Sequence, residues 1–122
     1  LSLHDALPIY LEELIQYCNE KPNATESLPF GPDALVFKVY EKIFAITALN
    51  DDKCRVSLKC DPDYALELRE KYEEIIPGYH LNKKHWNTVS LEGRLKTAFI
   101  KELIDHSYQL VLPAPKSKKT KY

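Results

Sequence analysis

The sequence predicts an α+β domain whose elements run α-β-β-β-α-β-β-α. Three patterns carry that reading. Apolar residues recur at helical spacing in two separate stretches, around residues 11–18 and 99–111. After the first of these, three runs rich in β-branched and aromatic residues succeed one another through short polar connections. A helix start signal, Asp61-Pro62-Asp63, then interrupts the strands before a further pair that brackets Lys83 and Lys84.

Taken in order, residues 1–9 (LSLHDALPI) read as a non-native leader. They hold neither a basic segment nor the longer apolar core of a secretory signal. Residues 10–21 place Leu11, Leu14, Ile15 and Cys18 on one face of a helix that Pro22 stops. Residues 25–33 (TESLPFGPD) read as a loop, with Phe30 a hydrophobic plug over one end of the core and a ligand-facing ring the alternative. Residues 34–40 form the first strand. Glu41-Lys42 is a short turn, and residues 43–49 are apolar on both faces, as a central strand covered on both sides would be. Asn50-Asp51-Asp52 is a hairpin loop.

Residues 53–59 alternate, with Cys54, Val56 and Leu58 inward and Lys53, Arg55, Ser57 and Lys59 outward. Asp61 caps a second helix that runs to about residue 72. Residues 76–80 and 85–91 read as a hairpin turned by Leu81-Asn82-Lys83-Lys84, which would set His80 across from His85. A last helix, residues 96–112, carries the wide apolar stripe of Phe99, Ile100, Leu103, Ile104, Ser107, Tyr108 and Val111. One domain therefore occupies residues 10–112, and a Lys-rich tail expected to be disordered occupies 113–122.

Charge and composition narrow the function. The chain has 122 residues and a formal charge of -1. Four of its seventeen basic residues lie in the last seven positions, which leaves thirteen bases against eighteen acids in residues 1–115, a net of -5. A body of that sign repels polyanions at long range, so any nucleic-acid affinity must come from a local patch or the tail. No apolar run reaches the roughly 20 residues of a membrane span. Cys18, Cys54 and Cys60 are odd in number and form no CxxC, which predicts reduced thiols in a cytoplasmic protein.

Catalytic and cofactor signatures are missing. The three glycines do not cluster, so neither a P-loop nor a dinucleotide fingerprint is present. No GxSxG occurs, and no Cys falls in an electropositive loop. His80 and His85, with His106 as a third candidate, match no zinc spacing. No catalytic residue, metal ligand or cofactor is assigned, and the expectation is a non-enzymatic protein.

The unusual residues gather in IIPGYHLNKKHWNTVSL, residues 75–91. From Tyr79 to Thr97 the charged residues are Lys83, Lys84, Arg94 and Lys96 against Glu92, a local excess of three positive charges. The expected nucleic-acid surface is Asn82, Lys83, Lys84, His85, Trp86, Asn87 and Arg94: cations for phosphates, amides for base edges, rings for stacking. The alternative is a small-anion or protein-interaction module in which Phe30, Tyr79, His80, Trp86 and Asn87 line a pocket.

The strings PFGPDALVFKV, KIFAI, SLKCDP, IPGYHLNKKHWNTV and IKELIDHSYQLV, in that order, resemble the MmcQ/YjbR family of small bacterial proteins over about residues 10–112. The resemblance implies an antiparallel sheet with helices packed against it, like that of CyaY and frataxin. It also implies DNA as a partner, gripped by hairpins that project as a double wing, and it carries over no catalytic residue. The wings would be the hairpins at Asn82-Lys83-Lys84-His85-Trp86 and at Asn50-Asp51-Asp52, the second of which is acidic here. The fold's kinship to CyaY raises iron handling, for which Glu12, Glu13 and Glu20 on the first helix are too scattered.

Overall fold

A computed structural model describes residues 11–49 and 53–113. The expectations for residues 1–9, for the loop at 50–52 and for the tail from 114 lie outside these residues. The elements are α1 (Leu11–Asn19), β1 (Ala24–Ser27), β2 (Ala34–Val39), β3 (Lys42–Ala48), β4 (Arg55–Lys59), α2 (Pro62–Lys71), β5 (Ile75–Pro77), β6 (Trp86–Ser90) and α3 (Thr97–Val111). The strands form one antiparallel sheet in the order β1-β2-β3-β4-β6-β5. The α+β class holds, with one strand more than the sequence pattern predicts.

That strand is β1. Pro22 ends the first helix and Asn23, at φ 63°, turns the chain back so that Ala24 pairs with Val39. The segment is exposed along most of its length, because it sits at the sheet edge and uses its backbone rather than an apolar face. The β2–β3 turn lies one residue earlier than expected. Tyr40 and Glu41 both take positive φ, as a tight two-residue hairpin requires.

α3 lies across β3 and β4 and closes the core with Ile100, Leu103, Ile104, Tyr108 and Val111. A bulge shapes this contact. Phe37 pairs with Ala45 while Lys38 pairs with Ile43, so Phe44 is left over in β3. Phe44 and Ala45, successive residues, are consequently both fully buried, and the Phe44 ring meets Tyr108 edge-on at 5.4 Å. The bulge also ends the β3–β4 pairing at Ala45–Leu58. Where Lys59 N–H would otherwise reach the Phe44 carbonyl, the Ser107 hydroxyl accepts from Lys59 N at 2.9 Å and donates to Phe44 O at 2.5 Å. A helix side chain thus completes the ladder.

α1 packs beside α3. The Tyr17 hydroxyl donates to Asp105 at 2.7 Å, Lys21 pairs with Asp105, and the Tyr108 hydroxyl donates to the Pro22 carbonyl at 2.5 Å. Asp61 accepts from Tyr64 N at 3.2 Å and caps α2 as the sequence predicts.

Residues 43–49 are not covered on both sides. Ala45 and Thr47 face the helices, whereas Ile46 is half-buried and Ala48 exposed on a face that no helix packs against. A continuous row crosses that open face through register partners: Val36, Ile46, Ser57, Thr88 and Ile76.

Removing the Ser107 hydroxyl strands a half-buried N–H and a buried C=O together. Ser107→Ala is expected to lower unfolding free energy by about 2–4 kcal/mol, read from urea midpoints at unchanged m-value. A loss well under 1 kcal/mol would mean that the ladder closes without the hydroxyl.

Candidate functional site

The open face carries a hollow of about 440 Å³. Its floor is Ala34, Ile46, Ala48, Ser57 and Thr88, small or half-buried residues that the sheet register aligns. Phe30, Tyr79, His80 and Leu81 rise around it from two loops, and Arg55 lines it from β4. Phe30 is 68% exposed and Tyr79 52% exposed, so two large rings border the hollow while still meeting solvent. Phe30 is therefore not a plug over the core; its ring borders the hollow.

The second loop is held over the sheet by specific contacts. Tyr79 N donates to Thr88 Oγ1 at 2.9 Å, and the Arg55 guanidinium lies 4.8 Å from the centre of the Tyr79 ring. His80 takes φ 60°, a conformation rare for a side chain of its size, and its ring sits 4.0 Å from that of Tyr79. Gly78 lets the loop close, since a Cβ there would stand 2.7 Å from the Trp86 Cβ.

Pairing in this hairpin stops at Pro77–Asn87, with Gly78 N donating to Trp86 O at 2.8 Å. The connection from residue 78 to 85 is thus longer than a four-residue turn, and His80 and His85 are not cross-strand partners. Within it, Asn82 Oδ1 accepts from Lys84 N at 2.9 Å and His85 N at 3.1 Å, a local turn lock. Arg69 of α2 pins the whole segment. Its Nε donates to Asn87 Oδ1 at 2.7 Å, and its Nη2 donates to the carbonyls of Lys83 and, at 3.3 Å, Trp86. Nothing in the local sequence around residue 69 signals this role, because its partners lie 14 to 18 positions away.

The residues expected at a nucleic-acid surface do not form one face. Asn82, Lys84 and His85 are exposed at the tip. Lys83 is also exposed, but its ammonium group turns back to donate to Gly78 O at 2.8 Å. Trp86 is half-buried at the hairpin root and does not line the hollow. Asn87 is 2% exposed and faces the helices opposite Leu58, out of reach of a groove. Arg94 lies beyond the other end of β6, where its side chain is 85% exposed and pairs with Glu74 at 3.6 Å. The Arg94 backbone N–H holds the Glu74 carboxyl below the usual carboxylate range, ahead of Glu74's own N–H and the Arg94 charge. Of the residues expected to line a pocket, Phe30, Tyr79 and His80 do so, while Trp86 and Asn87 do not.

A second constellation is chemically suggestive and inert. Cys60, His106 and Asn87 all border one small void of about 10 Å³, room for about one water. Burial, and after it the Asp61 charge, pushes the Cys60 thiol up to about 11, and burial pushes Cys18 up to about 12. Neither is a nucleophile at neutral pH. His106 Nε2 accepts from Asp61 N at 3.2 Å and its ring meets Tyr64 edge-on, a structural position at the start of α2. Among the described residues, no group of three or more His, Cys, Asp or Glu could hold a metal ion. No described helix is long and apolar enough to cross a membrane.

The YjbR sequence family matches residues 19–110, from the end of α1 to the last turn of α3. The chain belongs to the YjbR family. It is 40% identical over 111 residues to the "Uncharacterized protein YjbR" of Escherichia coli strain K12, covering 88% of this chain and 94% of that protein. A shorter match, 40% over 55 residues, joins it to the "Uncharacterized protein YyaQ" of Bacillus subtilis. The YjbR fold recurs in a solved Deinococcus radiodurans protein described by the domain DUF419, at TM-score 0.80 and 43% identity over 85% of this chain and 80% of that one. A Pseudomonas syringae crystal structure aligns at TM-score 0.74 and 31% identity over 85% and 100%. The two solved structures share the fold of this chain, and the descriptions of all four relatives assign no activity.

Two outcomes test this geometry. Arg69→Ala is expected to cost about 2 kcal/mol and to speed amide exchange at Lys84, His85 and Trp86 well before the rest of β6. Selective loosening measured by hydrogen exchange separates pinning from a general loss of stability. Cys60 should alkylate at pH 8 about a hundredfold slower in the folded chain than in urea, since its raised value leaves that much less thiolate. Mass spectrometry after iodoacetamide reads the ratio.

Proposed function

We propose that this YjbR-family chain is a non-enzymatic binding module whose site is the hollow on the open sheet face. The supporting observation is the concavity of about 440 Å³, with a floor of Ala34, Ile46 and Ala48 interrupted by two hydroxyls, a few convergent polar groups and two exposed aromatic walls. Sites for small ligands have this size and this mixture. Exposed large rings flanking a concavity also carry a solvation cost that an occupant would relieve. Binding rather than catalysis is favoured because the two hydroxyls in the floor pair with each other and with a backbone N–H rather than with a base. Three free thiols fit a reducing, cytoplasmic setting.

A second reading assigns DNA as the partner. It is favoured by the tip, where Asn82 fixes the turn while Lys84 and His85 remain exposed. The tip is small beside the net negative charge of the rest of the domain, and most of the residues needed for a broader grip are engaged elsewhere.

N-phenyl-1-naphthylamine, a neutral fluorescent probe, separates the two. It should bind the folded chain, and Ala48→Trp, which fills the hollow from an exposed position, should weaken it about tenfold or more. Lys83→Ala with Lys84→Ala should leave it unchanged. Absence of probe binding, or indifference to Ala48→Trp, overturns the pocket reading. Duplex DNA binding that falls steeply between about 50 and about 200 mM salt, and depends on the Lys pair but not on Ala48, would place function at the tip.

A further inference from the structure

We infer that the ligand of the hollow is a small aromatic carboxylate, an inference that rests on the hollow being the binding site. The observation behind it is a count of protons. Ser57 and Thr88 are cross-strand partners whose hydroxyl oxygens lie 2.8 Å apart. Each brings one O–H and two acceptor positions. One proton is consumed in the bond between them, whichever residue donates it. Thr88 Oγ1 also receives the Tyr79 N–H, which fills an acceptor position and consumes no hydroxyl proton. The second hydroxyl proton therefore remains, with no protein acceptor among the described residues. Ser57 is 9% and Thr88 3% exposed, and both line the floor of the hollow. A nearly buried donor facing a concavity calls for an acceptor in the occupant.

Charge gives the acceptor its sign. Arg55 stands two residues before Ser57 in β4, on the same face, and brings a guanidinium to the hollow. The polar end of the ligand meets the Arg55 guanidinium and one O–H donor, with the His80 ring on the wall beside them, a set that a carboxylate matches with one charge and two oxygens. Apart from these groups and the His80 ring, the hollow is apolar, with Ile46, Ala34 and Ala48 beneath and the Phe30 and Tyr79 rings beside it. Flat walls of this kind favour an aromatic body through offset or edge-on ring contacts.

The test compares three compounds with one ring system, indole-3-acetate, indole-3-acetamide and tryptamine, titrated into the ¹⁵N-labelled full chain. The Tyr79 amide is the reporter, because an acceptor that draws on the Ser57–Thr88 pair repolarises the oxygen it donates to. The acid should shift the Tyr79 and Thr88 amides and bind about tenfold or more tighter than tryptamine, with the amide between. Arg55→Gln should shrink the preference for the acid over the neutral amide, and Ser57→Ala with Thr88→Val should shrink it further. Equal binding of all three compounds at the hollow, or tighter binding of the amine, overturns the acid assignment and leaves the hollow as a site. Shifts confined to residues 82–85 overturn it as well. If none of the three binds and the neutral naphthylamine probe also fails, the hollow itself is not the site. If the probe binds and the acid does not, only the ligand class falls.

Discussion

The domain depends on a hydroxyl placed where two strands part. Antiparallel strands cannot carry an extra residue without breaking the ladder. In β3 that residue is Phe44, and the break falls between it and Lys59. Ser107 of α3 fills the break by accepting from one strand and donating to the other. Its two bonds fix the helix over the sheet at the level where Phe44 and Ala45 both turn inward. The same bulge sets the phase of the remaining residues of β3. Ala45 and Thr47 go to the helices, and Ile46 and Ala48 are left for the open side. The core and the hollow are thus two results of one irregularity.

Much of the frame was legible in the residues. The α3 stripe, the cap at Asp61, the alternation Val56–Ser57–Leu58 and the paired strands around Lys83 all act over short sequence distances, which is where periodicity and capping speak. β1 was not legible, because Ala-Thr-Glu-Ser carries no apolar alternation and its pairing is a matter of backbone at an edge. The open face was also hidden. An apolar run such as IFAITAL reads the same whether its second side meets a helix or water, and only the placement of α1, α2 and α3 together decides.

The site residues show a similar division. Tyr79, His80 and Phe30 were visible as unusual side chains in turn-rich stretches, and they border the hollow. Asn87 looked like its neighbours Asn82 and His85, yet strand phase and Arg69 carry it to the opposite face. The local positive excess was a property of sequence order. In space the Glu74–Arg94 pair removes one cation to the far end of β6, and the Lys83 ammonium folds back on Gly78. Ser57 and Thr88 drew little notice because neither is unusual alone. Their significance arises from a register that brings into contact two oxygens from residues 31 positions apart.

The margins of the sheet bear on how such a protein keeps its own company. One margin is β1, four residues that include Thr25 and Glu26, and the other is β5, three residues that end in Pro77, which has no N–H to offer. Short, polar or proline-bearing margins are poor templates for another strand. Growth of the sheet from copy to copy is therefore discouraged at both ends, and the exposed Phe30 and Tyr79 rings can remain in solution without recruiting neighbours by backbone pairing. A protein built this way can carry an adhesive face because its flanks are not adhesive.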